Sequence, residues 1–149
     1  TGCGSWDSLY EICRKTDLIY YDIKLLDSEL HRKFTGMSND VILRNLRRLS
    51  ENREAVGEIV VRIPCIPGIN DHKEQIEQTA RFVSELKLSF LELLPYNEAA
   101  GAKYMWLFQD YSLQKLHTRK KEYYEELQKY VSQFGLLPYG LGHGRRKEK

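Results

Sequence analysis

Cysteine is scarce in this sequence, and its placement argues against two kinds of site. The three cysteines, Cys3, Cys13 and Cys65, stand far apart, with no C-x-x-C pair and no histidine at the spacing of a metal ligand. An odd number of scattered cysteines argues against a disulfide scaffold and against a self-contained thiolate metal site. Each thiol is expected to serve as a small apolar core side chain.

Long apolar runs and a strong charge of one sign are also missing. No stretch approaches the roughly 20 consecutive apolar residues of a membrane helix, and the amino-terminal residues lack a secretory pattern. The formal net charge is only +2, so no global field favours nucleic acid. We therefore expect a cytoplasmic protein that binds neither membrane nor nucleic acid. Nucleophile-elbow, P-loop and dinucleotide fingerprints are absent as well.

Three short apolar runs predict buried β-strands. They cover residues 17–22 (DLIYYD), 58–64 (EIVVRIP) and 90–94 (FLELL). Because the runs are continuous rather than alternating, they favour a parallel sheet covered on both faces.

Helical patterns separate the strands. They cover residues 6–14, residues 38–50, a helix opened by a capping-box spacing at Asp71 to Glu74, and a long helix from Ser112 to Gly135. Alternating helices and strands predict an α/β fold with parallel strands and flanking helices. Three strands leave both sheet edges open, which indicates part of a (β/α) barrel and predicts self-association through those edges. We expect one domain over residues 1–135 and an unassigned, flexible basic tail over 136–149.

Polar residues at the strand ends are the candidate site, because loops after parallel strands converge on one face. Asp22 and Lys24 end the first run, where alternation points both side chains to the same side. This pair suits a zwitterion or a cation, although a solvated surface ion pair has the same pattern.

Arg62 interrupts the second apolar run, and its guanidinium needs an acid or a carboxylate ligand. The following segment to Asp71 (PCIPGIND) is interpreted as mainly architectural. The third run ends in Tyr96 and Asn97, and Glu92 within it needs a partner if buried.

Residues 31–36 (HRKFTG) follow the first run and fit either a basic loop over a site or a charged helical turn exposed to water. The second interpretation is favoured.

Four motifs in order resemble the activating enzymes of glycyl-radical enzymes, such as pyruvate formate-lyase activase. They are DIK at 22–24, HRKFTGMSN at 31–39, RIPCIPGIND at 62–71 and ELLPYN at 92–97. The opening Thr1 to Gly4 also resembles the family's Thr-Asn-Gly or Thr-Cys-Gly turn, with one residue inserted.

The resemblance implies the carboxyl-terminal half of a radical S-adenosylmethionine (β/α)6 barrel. In that family a [4Fe-4S] cluster cleaves S-adenosylmethionine, and the resulting radical removes hydrogen from a glycine of a partner such as pyruvate formate-lyase, with a flavodoxin-type or other reductant. By resemblance, Lys24, Arg62 and Asn97 bind S-adenosylmethionine, and Asp22 and Thr1 face the substrate loop or a monovalent cation.

Two departures qualify this expectation. The family's C-x-x-x-C-x-x-C loop would lie upstream of Thr1 and is absent, so the chain alone is expected to be inactive, as a truncated form, with no catalytic or metal-ligating residue of its own. Asn97 also stands where the family has histidine, and an amide cannot titrate near neutral pH. The alternatives are a non-catalytic module that docks a partner protein or binds a small carboxylate ligand, and an unrelated barrel segment for phosphate or an acid.

Overall fold

The computed structural model describes residues 2–100 and 116–139. Five helices, three strands and one short 3-10 helix occur in those ranges. In chain order they are α1 (Trp6–Cys13), β1 (Leu18–Asp22), α2 (Ser28–Thr35), α3 (Asp40–Glu51), β2 (Glu58–Pro64), α4 (Lys73–Glu85), β3 (Phe90–Leu94), the 3-10 helix (Glu98–Ala100) and α5 (Lys121–Ser132).

The three strands form one parallel sheet in the order β1, β2, β3. This confirms the α/β class and the parallel strands expected from the apolar runs. Each strand begins and ends within one residue of the predicted run. The carboxyl ends of all three strands therefore lie at one edge of the sheet.

Among residues 2–100 and 116–139, the helices pack on one face of the sheet, and the expectation of cover on both faces stays a prediction. Residues at odd positions of the strands are buried in the core beneath the helices, and Tyr21, Val61 and Leu91 among them are at most 1% exposed. Residues at even positions alternate with them and point to the opposite face. On that opposite face Tyr20 of β1 is 44% exposed, whereas its neighbour Val60 on the central strand is fully buried. In the described part of the chain we call this opposite face the open face.

The helices cover the first face because each carries an apolar stripe at helical spacing. Leu46 and Leu49 of α3, Ile76 of α4 and Val131 of α5 are fully buried in the core cluster. Burial of such side chains contributes about 1.5–3 kcal/mol each. The packing of the helices on this face of the sheet therefore makes a large contribution to the stability of the fold.

Helix α4 does not begin with the predicted capping box. His72 is the N-cap residue and makes no side-chain capping hydrogen bond. The Asp71 carboxylate instead accepts from the backbone N–H of Gly68 at 2.8 Å and from Nε of Arg119 at 2.9 Å. Asp71 is fully buried, and its carboxylate is bonded to the preceding loop and to the distant Arg119 instead of capping α4.

The last helix starts later than expected. Helix α5 begins at Lys121, and residues 116–120 are not helical. They are held by contacts to distant loops, including a hydrogen bond from the Thr118 N–H to Glu98 at 2.9 Å. The predicted start at Ser112 lies outside the described residues.

Residues 31–36 form the second half of α2 and the glycine that ends it, but they are not uniformly exposed. Residues 32–36 are exposed, as the favoured interpretation of a charged helical turn expects, but His31 departs from it and is only 3% exposed. Its Nδ1 lies 2.7 Å from the Met37 carbonyl oxygen, and that oxygen can only accept. The ring therefore packs inward and stabilises the turn between α2 and α3.

The predicted domain boundary at residue 135 stays a prediction, but the residues just after it contact the sheet. Leu136 is 1% exposed. Leu137 accepts from Leu91 N and donates to Ser89 O, each at 3.0 Å, and so extends the sheet beyond β3. Tyr139 packs edge-on against Tyr20 and Phe90 on the open face.

The other edge of the sheet is formed by β1. Among residues 2–100 and 116–139, no strand pairs with the outer side of β1. The same residues contain no helix with the length and apolar character needed to cross a membrane.

Candidate functional site

Three charged residues form a row across the open face. Asp22, Arg62 and Glu92 are aligned by the register, Asp22 beside Arg62 and Arg62 beside Glu92. All three lie near the carboxyl ends of their strands, where parallel α/β sheets bind ligands.

Arg62 is bonded to one of its two acidic neighbours. Its Nε and Nη2 both lie 2.8 Å from Oδ1 of Asp22, and the side chains are 28% and 23% exposed. The guanidinium also stacks over the ring of Tyr20, with its central carbon 4.5 Å from the ring centroid. The partner required for a guanidinium in an apolar run is therefore Asp22, 40 residues earlier.

Lys24 lies two residues after Asp22 in the direction of β1, beyond this row. Ile23 continues the ladder, with its N–H donating to Arg62 O at 2.9 Å, and is buried. Alternation then places Lys24 on the open face with Asp22, and Lys24 is exposed. Within the described ranges its ammonium has no ion pair or hydrogen bond. Lys24 also lies between two clefts of about 380 and 230 Å³.

The larger cleft extends from Asp22 and Lys24 toward α2 and α3. Its wall includes Cys3, His31 and Met37, and most of its surface is apolar. Asp22 therefore reaches both the open face and this cleft, whereas neither cleft includes Arg62 or Asn97.

Asn70 fixes the ends of β1 and β2 relative to each other. Its Nδ2 donates to the carbonyl oxygens of Lys24 at 2.7 Å and Pro64 at 2.9 Å, and its Oδ1 accepts from Ile66 N at 2.6 Å. Asn70 is 2% exposed. The sequence indicates only that this loop is architectural. It does not show that Asn70 joins the strand ends, because one of its partners, Lys24, is distant in the sequence.

Asp71 connects the same loop to the segment before α5. Besides its two side-chain contacts, its carbonyl oxygen accepts from the Tyr123 hydroxyl at 2.8 Å. The hydrogen bond and charge of Asp71 raise the pKa of Arg119. The interpretation of the PCIPGIND segment as architectural thus agrees with its contacts.

Asn97 lies beyond the end of β3 and does not contact the other candidate residues. Its side chain is exposed, and Oδ1 accepts from Ala99 N at 3.0 Å, which opens the 3-10 helix. Only its Nδ2 is therefore left to donate to a ligand. The next residue, Glu98, binds Thr118 N–H and His117, and these bonds, Thr118 first, lower the pKa of Glu98.

The amino-terminal turn lies against the buried side of β1. Thr1 lies outside the described residues. The Asn45 amide donates to the carbonyl oxygens of Gly2 at 2.9 Å and Gly4 at 3.1 Å. Gly2 has a φ of 61° and leaves no room for a Cβ against the Tyr21 hydroxyl. Burial raises the pKa of Tyr21, whose hydroxyl donates to Ile42 O at 2.7 Å.

The cysteines do not converge. Cys13 and Cys65 are buried, as expected of core thiols, whereas Cys3 is exposed, contrary to that expectation. Burial, with a smaller effect of Asp71, raises the pKa of Cys65 to about 12. In residues 2–100 and 116–139, no three His, Cys, Asp or Glu side chains are grouped to hold a metal ion. The described residues therefore do not fit an iron-sulphur cluster.

Comparisons with known proteins give a consistent family. No family model matches the sequence. The isethionate sulfite-lyase activating enzyme of Oleidesulfovibrio alaskensis is 41% identical over 106 residues, which are 71% of this chain and 34% of that protein. The (2S)-3-sulfopropanediol dehydratase activating enzyme of Klebsiella oxytoca is 35% identical over 137 residues, which are 88% of this chain and 42% of that protein.

The fold gives the same result. A domain of the pyruvate-formate lyase-activating enzyme from Bacteroides vulgatus superposes with a TM-score of 0.69 at 26% identity, covering 89% of this chain and 71% of that one. The chain belongs to the glycyl-radical enzyme activating enzymes.

This membership confirms the family and the fold that the motifs implied, a fragment of a radical S-adenosylmethionine domain. The chain spans less than half the length of these two curated relatives. As members of this family, the relatives are radical S-adenosylmethionine oxidoreductases. What they do as whole proteins is considered for this chain in the next section.

Proposed function

We propose that this chain is part of an activating enzyme that binds S-adenosylmethionine and installs a glycyl radical on a partner such as pyruvate formate-lyase. The observation that carries the proposal is the gathering of Asp22, Lys24 and Arg62 on the open face. Family membership supports it, because the three residues belong to the motifs that resemble the family.

The residues fit the methionine part of the cofactor. The Lys24 ammonium has no ionic partner in the described ranges, and a carboxylate is its natural ligand. Arg62 uses only Nε and Nη2 on Asp22, so its remaining N–H groups are available to the same carboxylate. Asn97 can add a donor through Nδ2.

Asp22 has a different part in the proposal. Arg62 contacts its Oδ1, and its Oδ2 accepts from none of the described residues. That oxygen can take a monovalent cation or face the glycine loop of the partner, and by resemblance Thr1 joins it there.

We assign S-adenosylmethionine to residues of this chain and the [4Fe-4S] cluster to residues outside it. When bound, S-adenosylmethionine supplies the radical that removes a glycine hydrogen. The [4Fe-4S] cluster needs ligands that the described cysteines do not provide, so we assign the cluster to a longer form of the protein. A flavodoxin-type or other reductant and a cytoplasmic location belong to the same proposal.

Titration calorimetry with S-adenosylmethionine tests the binding part of this proposal. We expect the chain to bind the cofactor, with Lys24→Ala and Arg62→Ala each lowering the affinity at least about tenfold, since a charge-assisted bond is lost. Lys33→Ala is the matched control, because this exposed lysine lies on α2 outside the row. Equal affinity in all four proteins would contradict the assignment.

Anaerobic reconstitution with iron and sulphide tests the division of cofactors. We expect no stoichiometric cluster on this chain, because Cys3, Cys13 and Cys65 do not converge. Uptake of about four irons per chain would refute that expectation.

A non-catalytic docking module is the second candidate, favoured by the same separation of the cysteines. Capture of a glycyl-radical enzyme by the chain, lost with Arg62→Ala, would support it. Within residues 2–100 and 116–139 the outer edge of β1 is unpaired, which supports self-association in either case. Light scattering should then show a dimer or larger species, and a monodisperse monomer would contradict this part of the proposal.

A further inference from the structure

Residues 116–120, which we call the strap, connect two loops that follow neighbouring strands. The strap precedes α5 and is not helical. Its Arg119 is bonded to Asp71 in the loop after β2, with Nε 2.9 Å from Oδ2. The backbone N–H of Thr118 donates to Oε1 of Glu98, in the 3-10 helix after β3, at 2.9 Å. Two consecutive residues of the strap therefore bind two different loops.

The contact at Asp71 is the buried anchor of the strap. The Asp71 side chain is 0% exposed, and its other oxygen, Oδ1, accepts from Gly68 N at 2.8 Å. A buried carboxylate must be paired and hydrogen-bonded to offset its lost hydration. Among residues 2–100 and 116–139, Arg119 is its one ion-pair partner. The loop after β2 thus holds Arg119 through a charge that has no access to water.

The contact at Glu98 lies next to a candidate ligand-binding residue. Asn97 directly precedes Glu98, and its Oδ1 accepts from Ala99 N at 3.0 Å. Glu98 is bonded to the strap twice, because its Oε2 also lies 3.3 Å from Nδ1 of His117. These residues after β3 are exposed, so burial does not fix their position. The hydrogen bonds to the strap are therefore what holds this loop.

We infer that Arg119 is a positioning residue, which fixes Asn97 relative to the loop after β2 by holding the strap in place. The connection runs from the buried Asp71 to Arg119, along the backbone to Thr118, and across to Glu98 beside Asn97. The inference rests on the proposed function only for the ligand that Asn97 binds. The connection between the two loops can be measured without any ligand.

Exchange of backbone amides with solvent, followed by NMR in the 149-residue chain, tests this connection. Arg119→Gln should speed exchange about fivefold at Gly68, at Thr118 and at Ala99, because the strap no longer holds either loop. Exchange at Ile23, whose N–H belongs to the sheet, should be unchanged. The response at Ale99 is replaced by none of the local contacts of Arg119, so it reports the connection itself.

A second variant and a control guard against a general loss of stability. Glu98→Ala releases the other end of the strap at an exposed position. It should speed exchange at Gly68 about twofold, because coupling between two sites is reciprocal. Arg81→Gln is the matched control, since Arg81 forms an exposed ion pair with Glu77 on α4. It should leave exchange at both Gly68 and Ala99 unchanged.

Calorimetry with S-adenosylhomocysteine tests whether the strap positions Asn97 for a ligand. Asn97→Ala should weaken binding about fivefold in the unmodified chain. In the Arg119→Gln background the same change should cost less than about twofold, because the amide is then no longer held in place. Equal losses in the two backgrounds would show that Arg119 does not position Asn97.

The two experiments separate this inference from the proposed function. If Arg119→Gln leaves Ala99 unchanged, or speeds exchange at Ile23 as much as in the loops, the strap does not connect the loops and the inference is wrong. If the loops respond together but the unmodified chain does not bind S-adenosylhomocysteine, the proposed function is wrong and the connection through Arg119 is still supported.

Discussion

The two faces of the sheet are made by the same strands and yet differ in the charge of their side chains near the strand ends. The helix-covered face contains Tyr21, Val61 and Leu91, each at most 1% exposed. The open face contains Asp22, Arg62 and Glu92 at the adjacent positions of the same strands. Because the side-chain period of a strand is two, one strand can serve stability on one side and ligand binding on the other.

The largest expected contrast between the faces concerns two leucines of β3. Leu91 is fully buried on the covered face, whereas Leu94 is half-buried on the open face. Leu91→Ala should lower the free energy of unfolding by about 3 kcal/mol and Leu94→Ala by about 1 kcal/mol, because cavity cost depends on burial. Urea unfolding measures both. Equal losses would show that the open face is packed as tightly as the other.

The second test of the comparison concerns Asn70, which binds the carboxyl ends of β1 and β2. Asn70→Ala removes hydrogen bonds to the ends of β1 and β2 and one to the loop after β2 and should cost about 2–3 kcal/mol, since buried partners are left unpaired. Asn52→Ala is the control, because this exposed residue makes one bond within its own helix end. If Asn70→Ala lowers the free energy of unfolding no more than Asn52→Ala does, the hydrogen bonds of Asn70 do not stabilise the ends of the strands.

Alkaline pH probes a buried thiol of the covered face. The pKa of Cys65 is raised from 9.0 to about 12 in the folded chain. Above pH 9 the unfolded chain loses the thiol proton while the folded chain keeps it, so stability falls as the pH rises toward 12. Below pH 9 this contribution is fully present.

The fall attributable to Cys65 should stay under about 1.4 kcal/mol per pH unit. Urea unfolding between pH 8 and 10.5 should therefore show a steeper decline for the unmodified chain than for Cys65→Ala. Parallel declines in the two proteins would show that the thiol is not protected by burial.

The smallest expected effect on stability is at the open-face ion pair. Arg62→Lys should change the free energy of unfolding by less than about 1 kcal/mol, because the pair with Asp22 is partly exposed and screened. Arg81→Lys, at an exposed pair with Glu77 on α4, is the control. A loss comparable to that of Leu91→Ala would make the row structural rather than a binding surface.

Local patterns predicted the strands well because an apolar run of β-branched and aromatic residues depends only on residues that are neighbours in the sequence. They failed where distant partners decide the outcome. Asp71 has the spacing of a cap but is bonded to Arg119, 48 residues away. His31 looked exposed among charged neighbours, yet its ring is bonded to the turn after α2.

The candidate site was predictable in part for the same reason. Alternation placed Asp22 and Lys24 on one side, but nothing local indicated that Arg62 would pair with Asp22 rather than with Glu92. Nor could periodicity show which face the helices would leave open, because that depends on where the helices pack.

Backbone amide shifts during titration with S-adenosylhomocysteine test most directly whether the open face is the binding face. We predict shifts at residues 22–24, at Arg62 and over residues 92–97, with the exposed surfaces of α3 and α4 unaffected. Shifts centred on those helices, or the absence of any shift at millimolar ligand, would contradict the assignment of the open face.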